Sequence, residues 1–227
     1  MPKGNPVFDK FTDARVAAND AMIALLVGSR LSAKTINDLG LKNDELITKV
    51  FDEKTLKGVS RFNLTSSSAL RILRDAENHL AYMAIPYAVA VYERYVRDVI
   101  QALKVDSYVP VSSMSDDAIR DLKLENMLSV IFEKYDLQFD PIDQTLFSIV
   151  RQMRNRIIHS GGYVGSNLMP EYRNMQKKYK AEWEKLAGRP LTDAVLDRKF
   201  VLSEGELFVA LAICQRLVNQ IDEIIKI

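Results

Sequence analysis

Apolar residues recur at helical spacing along almost the whole chain, and runs of strict alternation are few. Residues 9 to 28 place Val16, Met22, Ile23 and Leu26 in such a register, which predicts a first helix ending at Gly28. The stretch LSAKTINDLGLKNDELITKVFDEKTLKG reads as short helices broken at Gly40 and Gly58. After NLTSSS, a run of N-cap residues, the longest helical pattern extends from Ala69 to Leu103. Pro86 lies inside it and should kink or split it, because proline removes a backbone donor and clashes one turn back. VPVSSMSDD reads as a loop and Asp116 to Tyr135 as a helix. FDPIDQTLF opens another helix, with Asp140 as N-cap, Pro141 in the first turn and Asp143 near the positive end of the dipole. SGGYVGSN stops that helix at about His159. Glu171 to Leu186 forms a basic helix, and GRPLTDAVLDRKFVL a connector with a short extended piece. Ser203 and Glu206 have capping-box spacing and start a final helix reaching about Ile225. The expected fold is all-α: an N-terminal helical extension over 1–65 and a helical bundle over 66–227, together one compact domain.

The helix ending at His159 carries the most chemistry. Measured from Leu146 at about 100° per residue, Val150, Met153 and Ile157 fall within about 40° of it and form a stripe for the core. Arg151, Asn155 and His159 follow an i, i+4, i+8 line at about 140° to 220°, away from that stripe. Arg154 flanks the line at about 80°, and Phe147 and Ile158 join the outer side near 100° and 120°. Such a mixture suits a subunit contact that also holds a site. Gly161 and Gly162 supply positive φ to end the helix and let another backbone or a ligand approach. A histidine at a helix C-terminus has its cation favoured by the dipole and suits general acid–base work. The same position equally suits a plain C-cap.

Charge adds a second pointer. The chain has 31 basic and 30 acidic residues, so its net charge of +1 implies no overall affinity for polyanions. From Arg151 to Arg189, however, nine Lys or Arg face three Asp or Glu, a local balance of +6 against −5 elsewhere. That is a footprint for a polyanion, or else a solvated lysine-rich helix. One cysteine, Cys214, in an apolar segment, excludes an intramolecular disulfide framework and suggests a cytoplasmic protein. MPKGNPVFDKF lacks the apolar core of a secretory signal, and stretches such as AMIALLV are far shorter than the ~20 residues of a membrane span. No Gly-rich phosphate loop is present, which weakens an ATPase or dehydrogenase reading. Trp183 and the tyrosines Tyr87, Tyr92 and Tyr95 read as packing rather than stacking platforms, and His79 as structural or exposed.

Arg154-Asn155-x-x-x-His159, closing an apolar-striped helix before Gly-Gly, resembles the signature of the HEPN (higher eukaryotes and prokaryotes nucleotide-binding) superfamily. AVAVYERYVRDVI with Glu93 and the closing KFVLSEGELFVALAICQRLVNQIDEI are similar to other helices of that superfamily. The resemblance spans roughly Ala69 to Ile227 in layout, and only the Arg-to-His stretch is specific. It implies a helical bundle that dimerises with the two motifs facing each other, and a metal-independent endoribonuclease of toxin–antitoxin or anti-phage systems. His159 would be the catalytic acid/base, Arg154 the phosphate binder and Asn155 their support. Arg151, Glu93, Arg156, Lys177 and Lys178 are supporting or substrate-binding candidates. The implied partners are RNA, a second copy of the chain and an antitoxin or regulatory protein. No cofactor or membrane is implied, and no cluster of ligand residues stands at metal spacing. Non-catalytic HEPN-like modules that bind nucleotide, RNA or protein offer a second reading, and a helical scaffold with no nucleic-acid role a third.

Overall fold

The structure is a computed structural model describing residues 6–38, 46–52, 54, 57–64, 66–164, 168–190, 195–196 and 199–225. In chain order its elements are α1 (Pro6–Asp38), β1 (Leu46–Asp52), β2 (Lys57–Leu64), α2 (Ser66–Arg74) and α3 (Ala76–Val105). Then come α4 (Val109–Ser112), α5 (Asp116–Arg120), α6 (Leu124–Tyr135), α7 (Pro141–Ser160), α8 (Leu168–Lys178) and α9 (Lys180–Ala187). The short strands β3 (Val195–Leu196) and β4 (Lys199–Phe200) precede α10 (Glu204–Asp222). The fold is all-α, decorated by two small antiparallel hairpins.

α3 is the hub, with α1, α6, α7 and α10 packed around it. Ile85, Val89, Tyr92, Val96, Val99 and Ile100 are wholly buried along it. At ~25 cal/mol per Å² of apolar surface removed from water, a helix buried on so many sides holds the bundle together. That packing explains why α3 runs through Pro86 without interruption. α3 is not split at Pro86, and the break in the long helical pattern falls earlier, at Asp75 between α2 and α3. α10 begins with the capping box formed by Ser203 and Glu206. Arg30 of α1 joins Glu77 of α3 at 2.9 Å and Glu204 of α10 at 2.8 Å.

Several expected boundaries change. α1 does not stop at Gly28 but continues to Asp38, since a lone glycine weakens a helix by only ~1 kcal/mol and does not end it. The short helices expected beyond it are not formed at 46–64. There β1 and β2 pair antiparallel from Leu46↔Leu64 to Asp52↔Lys57, in a segment rich in β-branched residues. Gly40 lies outside the described residues. The loop expected at VPVSSMSDD contains α4, and the single helix expected over 116–135 is two, with Ser115 accepting the Ala118 N–H at the start of α5. The basic helix is likewise two, α8 and α9, broken at Tyr179.

α1 also departs from the sequence-based expectation about apolar length. Its most apolar eighteen-residue window reaches a mean hydropathy of 1.2 and is 11% buried, so by length and composition the helix is able to cross a membrane. It packs on the bundle through Phe11, Met22, Leu26 and Ile36, while Val16, Ile23, Leu25, Val27 and Leu31 remain exposed.

Candidate active site at the C-terminal end of helix seven

α7 starts under firm control. The Asp140 carboxylate accepts the N–H groups of Ile142 at 2.8 Å and Asp143 at 3.1 Å, and Pro141 fills the first turn. Leu146, Val150 and Met153 are buried as the stripe requires, and Ile157 packs against the core. The buried arc is wider than expected, however. Phe147, placed by its wheel position on the outer side, is buried edge-on against Tyr92, with ring centroids 4.9 Å apart. Ile149 is buried as well. α7 lies between α3 and α10, so more than a narrow stripe is covered. Of the two apolar residues that the wheel placed on the outer side, Ile158 remains exposed, at 49%.

The outward line survives this narrowing. His159 is exposed in the last helical turn, and its side chain has no hydrogen bond or ion pair among the described residues. Arg154 donates from Nη1 to Asn155 Oδ1 at 2.9 Å, while its Nε is buried without a partner. On the helical wheel Asn155 lies between Arg154 and His159, so this bond draws the guanidinium toward the histidine side. α7 stays α-helical to Ser160, so no unwinding of the last turn assists that approach. Arg151, which unlike Arg154 lies in line with the histidine, is held in an ion pair with Glu125 of α6. Glu125 in turn has its carboxyl held below the usual carboxylate range, first by its own backbone N–H and then by Arg151.

The remaining candidates are scattered. Arg156 is half-buried on α7, in no ion pair among the described residues. Lys177 and Lys178 are exposed at the end of α8, the latter 5.0 Å from the ring of Tyr179. Glu93, half-buried on α3, forms no hydrogen bond or ion pair with Arg154. Its field instead reaches Cys214, whose thiol is pushed far up by burial first and by Glu93 second. Elsewhere on α3, Arg94 and Asp98 stand 4.0 Å apart as an i, i+4 pair, and Arg97 keeps a buried Nε without a hydrogen-bond partner. His79 and Tyr87 are exposed, and Tyr92, Tyr95 and Trp183 are packed in the core.

The two glycines have distinct structural tasks. Gly161 (φ +56°) and Gly162 (φ +86°) both donate to Arg156 O, the latter at 2.9 Å, which closes the helix. At Gly162 the close approach is made by Tyr82 of α3: a Cβ there would lie 2.0 Å from its Oη. The Tyr82 hydroxyl donates to Phe200 O at 2.8 Å, and Phe200 N donates to Gly162 O at 3.0 Å. Leu202 N donates to Asn78 Oδ1 at 2.8 Å, so β4 and its flank are fastened to α3 and to the end of α7. This brings Lys199 beside Tyr163, a neighbour pair the sequence reading missed. An aromatic residue directly after the Gly-Gly was the only local signal, and nothing in sequence linked it to a lysine 36 positions later.

No family model matches the chain, and no curated protein or solved structure does so either.

Proposed function

We propose that the protein is a HEPN-type, metal-independent endoribonuclease that cleaves single-stranded RNA as a homodimer through the Arg154–His159 face. The observation that carries this reading is the free polar line at the end of α7: an exposed His159 next to an Arg154 aimed by Asn155. In the proposed reaction one imidazole removes the ribose 2′-OH proton, and the 2′-oxygen attacks the adjacent phosphorus. The 5′-oxygen leaves with a proton from a second imidazole, giving a 2′,3′-cyclic phosphate and a 5′-hydroxyl end. Two copies of His159 related by a twofold axis would divide those roles. Arg154, a permanent planar cation, stabilises charge building on the phosphorane oxygens. The need for a 2′-OH makes RNA the substrate and leaves DNA uncut.

A cytoplasmic toxin–antitoxin or anti-phage setting, with an antitoxin or regulatory protein as a further partner, belongs to the same reading. The test is cleavage of single-stranded RNA in EDTA by wild type and by His159→Ala. Loss of about 10²- to 10⁴-fold with an unchanged melting curve is expected; undiminished cleavage refutes the assignment. The absence, among the described residues, of a hydrogen bond orienting His159 favours a second reading, a non-catalytic HEPN-like binding module. Toxicity on overexpression that Arg154→Ala relieves would discriminate in favour of the enzyme.

A further inference from the structure

We infer that Tyr163 and Lys199 form a nucleobase-binding subsite beside His159, taking the base of single-stranded RNA next to the scissile linkage. The inference rests on the ribonuclease reading above. Tyr163 follows the histidine by four residues and keeps 59% of its surface exposed. An exposed ring at a chain turn is ordinarily mobile, but this one is held. The Gly161–Gly162 turn fixes its backbone, and an antiparallel bridge pairs Tyr163 with Lys199. The bridge is locked from below by Phe200 N on Gly162 O at 3.0 Å and by the Tyr82 hydroxyl on Phe200 O at 2.8 Å.

The lysine is placed with equal care. Its Nζ stands 5.7 Å from the centroid of Tyr163 and 5.9 Å from that of Tyr82, in no ion pair among the described residues. An exposed aromatic ring beside an ammonium that pairs with no carboxylate among the described residues suits single-stranded nucleic acid: a face for a base and a cation for the neighbouring phosphate. Tyr163 follows His159 by four residues across the Gly161–Gly162 turn, so a base stacked there would hold the strand at the histidine end of α7. Stacking on a ring tolerates any base, so the subsite contributes affinity and register more than sequence choice.

The experiment uses the full-length protein and a short fluorescein-labelled oligoribonucleotide of mixed sequence. Tyr163→Ala should raise KM about tenfold, with kcat within about twofold, and Tyr163→Phe should restore it, since the ring and not the hydroxyl stacks. The penalty should vanish on a substrate made abasic at the nucleotide flanking the cut, as a double-mutant cycle between ring and base demands. Lys199→Ala should lower the slope of log KM against log salt by about 0.7. An unchanged KM in Tyr163→Ala, alongside cleavage abolished in His159→Ala, overturns the subsite and leaves the ribonuclease reading standing. A raised KM that the abasic substrate does not cancel, accompanied by a changed mass in light scattering, makes Tyr163 a subunit contact and also overturns it. A wild type that neither binds nor cuts the oligonucleotide removes the ribonuclease reading and the subsite together.

Discussion

The two ends of α7 are built to opposite rules. At its start the buried carboxylate and its neighbours are matched. Asp143, only 6% exposed, accepts Arg216 Nη1 at 3.1 Å and Gln220 Nε2 at 2.8 Å. Arg216 also reaches Glu182 of α9 at 2.7 Å, and Gln220 accepts the Asp140 N–H at 2.9 Å. At its finish, among the described residues, the donors are left over: His159 in no side-chain hydrogen bond, Arg154 half-engaged, Arg156 and Lys199 in no ion pair, with Ile158 and Tyr163 exposed beside them. One rigid element thus carries a fastened end and an unsatisfied one. A cation that has found its carboxylate is fixing structure, and a cation that has not is available to a ligand.

The largest expected effect lies at the fastened end. Arg216→Ala leaves the Asp143 carboxylate buried with only Gln220, so stability should fall by about 2–4 kcal/mol, read as a lower urea midpoint. RNA cleavage per folded molecule should stay unchanged, because the proposed site is at the other end of the helix. A variant as stable as wild type would mean that the N-terminal cluster is not a fastening, and the contrast would lose one side.

Gly162→Ala comes next and tests the hinge between structure and site. The new methyl collides with Tyr82 Oη, breaks its bond to Phe200 O, and forces alanine into a left-handed backbone. A loss of about 1–3 kcal/mol in stability is expected. Because β4 would be unfastened, RNA affinity should weaken as well. Gly161→Ala meets no neighbour within 4 Å and should pay only for its φ, about 1 kcal/mol, with affinity retained. Equal losses in both variants would show that the Tyr82 approach is unimportant.

The fastened and free ends were not equally legible in the sequence. The Asp140 cap, the Leu146–Val150–Met153 stripe and the capping box of Ser203 and Glu206 are local patterns, and each is present in the fold. What escaped were features that depend on elements distant in sequence. Phe147 turned inward because Tyr92 of α3 waited for it, and Arg151 was claimed by Glu125. Asp143 serves a cross-helix network with Arg216 and Gln220 in addition to the helix dipole. The hairpin of β1 and β2 was misread because its polar and apolar residues do not alternate strictly, and register there comes from pairing across the turn. Asn155 was chosen as a support by resemblance, and its Oδ1 accepts from Arg154 Nη1 at 2.9 Å.

The smallest expected effect decides where the boundary between the two ends falls. Arg151 lies in line with His159, but its guanidinium is turned to Glu125, a side chain still 56% exposed. An ion pair so open to water is worth about 0–1 kcal/mol, so Arg151→Ala should lower stability by less than that. The Glu125 carboxyl is held low in the folded protein, so its contribution is present above the ordinary carboxylate range and lost as pH falls through the depressed folded value. The gap between wild type and Arg151→Ala should therefore close on acidification, and urea melts from neutral pH downward will read it. The backbone N–H that also holds Glu125 low remains in the variant, so the gap measures the arginine alone. Cleavage at neutral pH should change less than twofold if Arg154 binds the phosphate. If Arg151→Ala instead abolishes cleavage while Arg154→Ala does not, the ion pair is a resting state that substrate opens, and the reactive face shifts one turn toward the middle of α7.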